Sequence, residues 1–174
     1  MKGDECSDTE VVFKAILLEH YDPEENRFSA RLFKGPESSL SRLAIWTKRQ
    51  IIDGFVDQVH RPPHRSLMGI GNARVGELKR ICREYPDKPT KISVIEDPLD
   101  GTQSGGIINP AHAVIPQKLS EGLARHLPQK IEVEWGSIEE LLRNSELPAP
   151  PVASKERGCL LMPISFFRKG QLPL

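Results

Sequence analysis

VVFKAILL, Val11 to Leu18, is a nearly continuous apolar run of strand length. After the turn-forming EHYDPEEN comes RFSARLF, in which Phe28, Ala30 and Leu32 alternate with Arg27, Ser29 and Arg31. A period of two puts the apolar set on one face of a strand and the polar set on the other. Between the two runs Asp22-Pro23 restricts the backbone and the carboxylates seek water, so the pair reads as adjacent strands joined by a turn. A chain that opens in this way builds a sheet.

Helical spacing enters next. LSRLAIW, Leu40 to Trp46, is a third strand candidate and runs into Thr47 and Gln50, which stand at capping-box spacing. Ile51, Ile52, Phe55, Val56 and Val59 follow at helical intervals, and RPPH ends the helix near His60. SLMGIGN reads as a glycine-loosened strand or loop. Val75, Leu78, Ile81, Cys82 and Tyr85 form the stripe of a second helix that stops before Pro86. KISVIEDP and INPAHAVI are strands separated by the flexible LDGTQSGG. A short helix spans Leu119 to Leu127, IEVEW alternates as a strand, and Ser137 with Glu140 caps a last helix ending near Arg143. The fold class is α+β, a single small domain with a mixed or antiparallel sheet of about six short strands and three to four helices. Residues 1–9 read as a flexible leader, 10–144 as the domain, 145–158 as a proline-rich linker and 159–174 as an apolar docking segment.

Composition narrows the function classes. The 174 residues carry 24 basic and 24 acidic side chains, so no whole-chain attraction to nucleic acid or membrane is expected. No apolar run reaches the roughly 18 residues of a membrane span, and the polar start MKGDECSDTE is wrong for a signal peptide. Cys6, Cys82 and Cys159 are odd in number and form no CxxC pair, which predicts a reduced cytoplasmic protein without a metal or other cofactor.

His112, in NPAHAVI, is the leading catalytic candidate. Its alanine neighbours leave room beside an imidazole able to serve as a base near neutral pH, although a half-buried structural histidine has the same pattern. Arg31 and Ser39, with Ser29, Ser38 and Ser41 around them, supply an arginine and a hydroxyl able to cradle a phosphate, or else form the wet face of an edge strand. Glu96, Asp97 and Asp100 read as a solvated turn. His60 and His64 have zinc-pair spacing, but Pro62 and Pro63 between them rule out the helix such a pair needs. GIGN lacks the third glycine of a dinucleotide loop. From Arg42 to Arg83 nine basic residues face three acidic ones, a local charge of +6. Lys48, Arg49, Arg61, Arg65, Lys79, Arg80 and Arg83 are therefore candidates for contact with nucleic acid or an acidic partner, unless they are only the solvent faces of two helices.

The succession EHYDPEENRFSARLF, SSLSRLAIW, GIGNARVGEL and EDPLDGTQSGGIINPAHAVI resembles an uncharacterised group of small bacterial proteins with an "NPAHA" signature. The resemblance covers roughly Ala15 to Leu127. It implies no catalytic role, since the group has no established activity, and it points to accessory genes of mobile or antiviral defence loci. Two function classes follow. One is a non-catalytic accessory protein that binds a protein partner through Leu160, Leu161, Met162, Phe166 and Phe167. The other is an enzyme acting on a nucleotide or nucleic acid, nuclease-like or ADP-ribosyl-transfer-like, with His112, Arg31 and Ser39 converging in a cleft. A pocket walled by His112 and Arg31 discriminates between them.

Overall fold

The computed structural model describes residues 3–63, 65–102 and 106–146. In chain order the elements are β1 (Val11–Leu17), β2 (Tyr21–Asp22), β3 (Arg27–Phe28), β4 (Ser38–Arg42), α1 (Lys48–Val59), β5 (Leu67–Arg74), α2 (Val75–Arg83), β6 (Ile95–Glu96), β7 (Leu99–Asp100), β8 (Ile108–Asn109), β9 (His112–Ile115), α3 (Glu121–His126), β10 (Glu132–Trp135) and α4 (Ile138–Ser145). Six strands form one antiparallel sheet in the order β10-β5-β1-β4-β9-β6, and β2-β3 and β7-β8 are two small hairpins. The domain is α+β, as expected.

The period-two pattern of β1 sorts the two cores. Val12 and Ile16 pack on one face with Val75, Leu78, Ile81 and Cys82 of α2 and Leu123 of α3. Phe13 and Leu17 pack on the other with Ile51, Ile52 and Phe55 of α1 and Leu141 of α4. Helices thus cover both faces of the sheet. Thr47 and Gln50 close a capping box on α1, and Ser137 and Glu140 close another on α4. Among the described residues no helix is long and apolar enough to cross a membrane.

Several segments differ from their expected form. Of the two forms expected for SLMGIGN, strand or loop, the structure has the strand: residues 67–72 lie in the eight-residue β5, flanked by β1 and β10. Its glycines permit close approach: a Cβ on Gly69 would lie 2.7 Å from the Glu134 carbonyl oxygen of β10. RFSARLF is a strand only at Arg27–Phe28; the Ser29 hydroxyl then accepts the Arg31 N–H and opens a 3₁₀ turn over Ala30–Leu32. LSRLAIW leaves the sheet at Leu43, where the chain turns onto α1. The leader is also ordered from residue 3. Gly3 N–H donates to Glu96 O, Glu96 N–H to Asp4 O and Cys6 N–H to Val94 O, so the segment runs along the otherwise open edge of β6 and buries Cys6. Ser145 belongs to α4 rather than to the linker. Residues 147–158 of the linker and the docking residues Leu160, Leu161, Met162, Phe166 and Phe167 lie outside the described residues.

One irregularity of the sheet positions everything below. β1 pairs with β5 from Val11↔Arg74 to Leu17↔Leu67, but with β4 only at Val12↔Arg42 and Phe13↔Ser41. Beyond Phe13 the two central strands part, while β4 stays paired with β9 from Ser38↔Ile115 to Ser41↔His112. A wedge therefore opens in the middle of the sheet.

Candidate functional site

Polar backbone edges exposed by such a split need partners, and two side chains of β1 and its following turn supply them. Lys14 Nζ reaches across to donate to Ser39 O at 2.9 Å and Ser38 Oγ at 3.3 Å, 5.7 Å from the centre of the Phe33 ring. His20 Nδ1 accepts the Leu17 N–H at 3.1 Å. Burial alone pushes the Lys14 amine down from 10.5 to about 8, and no carboxylate among the described residues lies within ion-pair distance of it. Burial, and then the Lys14 charge, push His20 down to about 4. His20 is thus neutral at pH 7, with Nδ1 as acceptor and its proton on Nε2.

The wedge holds a cavity of about 370 Å³. Leu17, Phe55 and Val59 form an apolar wall from β1 and α1, and Leu32 and Leu99 close other sides. The polar lining is one-sided in charge: Lys14, Arg31 and Arg65 are cationic, Ser39, Ser41, Gln58 and Asn109 are neutral, and no carboxylate of the described residues lines it. A concave site with apolar walls and a few convergent polar groups is the usual form of a small-molecule pocket.

His112 faces this cavity from β9, opposite Ser41. NPAHA places it there locally: Asn109 Oδ1 accepts the Ala111 N–H, and Asn109 Nδ2 donates to Gln58 of α1, which fixes the entry to β9. Ala111 and Ala113, on the other face, are fully buried, so their small size serves the core and not only the space beside the imidazole. His112 is 9% exposed. Its Nδ1 lies 2.8 Å from the Asp97 carbonyl oxygen and 3.2 Å from Asp97 Oδ2. Both partners are acceptors, so Nδ1 is the donor. Nε2 has no partner among the described residues, and none of their buried side-chain nitrogens or oxygens is left unsatisfied, so Nε2 is open to the cavity. Two imidazoles thus line one cavity with their Nδ1 atoms in opposite roles, accepting in His20 and donating in His112.

No family model, curated protein or solved structure matches the chain.

His112, Arg31 and Ser39, grouped on sequence grounds, are brought together in this cavity. Arg31 arrives from a 3₁₀ turn rather than from the expected strand. The acidic turn is not simply solvated: Asp97 orients His112, Glu96 pairs with Arg42 at 2.7 Å, and Asp100 Oδ1 accepts the Thr102 hydroxyl and N–H. Lys14, His20, Gln58 and Asn109 were not singled out as site residues, and Asp97 was read only as part of a solvated acidic turn. Lys14 offered one signal, a lone charge inside the apolar VVFKAILL. The others carry none, because strand pairing rather than spacing brings them in.

The seven basic candidates do not form one surface. α1 and α2 lie on opposite faces of the sheet. Lys48 pairs with Glu134 at 2.6 Å, Arg49 with Glu146, Lys79 with Glu5 and Asp8, and Arg80 with Glu84. Arg61 donates to the carbonyls of Val56, Asp57 and His60 at the end of α1. Arg83 lines a small cavity beside Lys79. Of the seven, only Arg65 joins the site, 3.5 Å from Glu19.

Proposed function

We propose that the chain is an enzyme acting on a phosphoester of a nucleotide or nucleic acid, with His112 as general base. One observation carries this reading: an imidazole held at Nδ1 by Asp97 lines a cavity that has, among the described residues, three cationic side chains and no carboxylate. Such a cavity attracts an anion, and its apolar walls strengthen that attraction by excluding water. Lys14, Arg31 and Arg65 neutralise the phosphoryl oxygens, Arg31 and Arg65 as forked donors. Ser39 and Ser41 hydrogen-bond the ligand. His112 Nε2 takes a proton from water as its oxygen attacks phosphorus, the ester P–O bond breaks, and the departing oxygen is protonated by solvent. The two buried thiols Cys6 and Cys82 are free, which supports a reducing cytosol as the compartment.

The test is turnover of nucleotides and short oligonucleotides followed by phosphorus NMR, with His112→Ala beside the parent. Loss of a general base lowers the rate about 10²–10⁴-fold. Equal rates in the two proteins, or no turnover of any phosphoester, would overturn the proposal.

A second reading, an accessory subunit of a bacterial defence or mobile-element system, has its own support. β10 is an edge strand, and its Trp135, 44% exposed, stacks on Phe28 beside Tyr21. An exposed aromatic group on an open edge suits a protein contact. Trp135→Ser should then abolish co-purification of a specific partner from the native host while leaving turnover intact.

A further inference from the structure

Gln50, Asp53, Gly54, Asp57 and Gln58 fall at helical intervals along one face of α1, and all five line a second cavity of about 480 Å³. Its far wall is Ile107 and Ile108, at the start of β8, and its end is Trp46. Gln58 and Ile107 also line the cationic cavity, so the two spaces adjoin across a shared wall. Their chemistry is opposite. Among the described residues the first has three cations and no carboxylate; the second has two carboxylates, two amides and an indole, and no cation.

Three features of the second cavity make it more than an acidic patch. Trp46 is half-buried, and a Cβ on Gly54 would lie 2.7 Å from its Cζ3, so the indole rests directly on the helix backbone. A glycine inside a helix destabilises it relative to alanine; here it seats the ring. Asp53 and Asp57 are like charges one turn apart, an arrangement that also weakens a helix. Asp53 has only a distant, exposed contact with Arg49 at 3.9 Å, and the Asp57 carboxylate has no partner among the described residues. Finally, Gln58 and Ile107 also wall a space that holds a nine-tenths buried histidine whose Nε2 has no partner among the described residues.

A ligand filling both spaces is anionic at one end and, at the other, flat with adjacent hydrogen-bond donors. Nucleobases differ in this respect. Guanine presents N1–H and N2–H side by side, a pair that one carboxylate accepts together, whereas adenine presents an acceptor next to its amino group. We propose that the two cavities form a single groove for a guanine nucleotide, with the phosphate among Lys14, Arg31 and Arg65 and the base stacked on Trp46 against Asp57. Base stacking on an aromatic side chain and a forked carboxylate contact together supply affinity that the phosphate alone lacks. This inference rests on the reading of the cationic cavity as a nucleotide site, and it narrows that reading to a mononucleotide-sized ligand.

The experiment is calorimetric titration of the full chain with GMP, AMP and inorganic phosphate, for the parent, Asp57→Asn, the pair Asp53→Asn/Asp57→Asn, and Lys14→Met. Both aspartates are exposed, so their amides should fold as the parent does. GMP should bind at least about tenfold more tightly than AMP or phosphate. The aspartate variants should lose that margin and keep phosphate affinity within about twofold, while Lys14→Met weakens all three ligands. Equal affinity for GMP and AMP, or a GMP margin unmoved by the aspartate variants, overturns the guanine assignment and leaves the cationic site standing. Failure of every ligand, phosphate included, overturns both.

Discussion

Lys14→Met should make the protein more stable at pH 7 while removing its affinity for anions. The methionine keeps the length and apolar stem of lysine and deletes the charge. In the folded chain burial holds the amine at about 8 against 10.5. At 1.36 kcal/mol per pKa unit, keeping that charge in the wedge costs about 3 kcal/mol. Against this, the variant loses the hydrogen bonds to Ser39 O and Ser38 Oγ, each worth about 0.5–1.5 kcal/mol. A net gain of about 0–2 kcal/mol follows at neutral pH. The pH dependence is the sharper test. Below about 8 both folded and unfolded lysine are protonated and the penalty is complete. Between about 8 and 10.5 the unfolded state binds more protons than the folded one, so the stability of the parent rises through that window and the advantage of the variant disappears. Urea unfolding followed by the fluorescence of Trp46 and Trp135 at intervals from pH 6 to 10 measures both proteins; other lysines cancel in the difference. A variant less stable than the parent at pH 7, or a difference constant across the range, would refute the account of Lys14 as an unpaired, half-buried charge kept for binding.

Three further outcomes are expected. Arg42→Met should destabilise by about 3–5 kcal/mol, because it leaves buried Glu10 without the cation that holds it at 2.5 Å; combining it with Glu10→Gln should recover part of the loss in a double-mutant cycle. His20, held at about 4 against 6.5, should remain neutral by NMR at pH 5.5, and stability of about 3 kcal/mol, fully present above pH 6.5, should be lost as pH falls toward 4; an imidazole that titrates near 6.5 in the folded chain contradicts this. Cys6 and Cys82, both buried with thiols raised by burial, Cys82 to about 11, should resist a thiol reagent at pH 8 until urea unfolds the protein, as mass spectrometry of labelled peptides would show.

The sequence alone determined what depends on near neighbours along the chain. The apolar period of Val11 to Leu17 gave a strand, Thr47 with Gln50 and Ser137 with Glu140 gave two helix starts, and Pro62 and Pro86 marked where helices could not continue, because these signals act within one or two turns of backbone. Local reading failed where a distant segment decided the outcome. SLMGIGN looked loose because glycine is a poor strand former by itself; between β1 and β10 the missing side chains are what let three strands pack. Residues 3–6 looked like a leader because nothing in them is periodic, and only the open edge of β6 gives their backbone a partner. The candidate site divides in the same way. His112, Arg31 and Ser39 could be nominated from residue type, since an imidazole, a guanidinium and a hydroxyl have a narrow range of chemistry. Their convergence could not be read, nor could Asp97, Lys14 and His20 be added to them. That required β1 and β4 to part after two residue pairs, and the divergence of two strands is set by everything packed on both faces of a sheet rather than by any stretch of sequence within it.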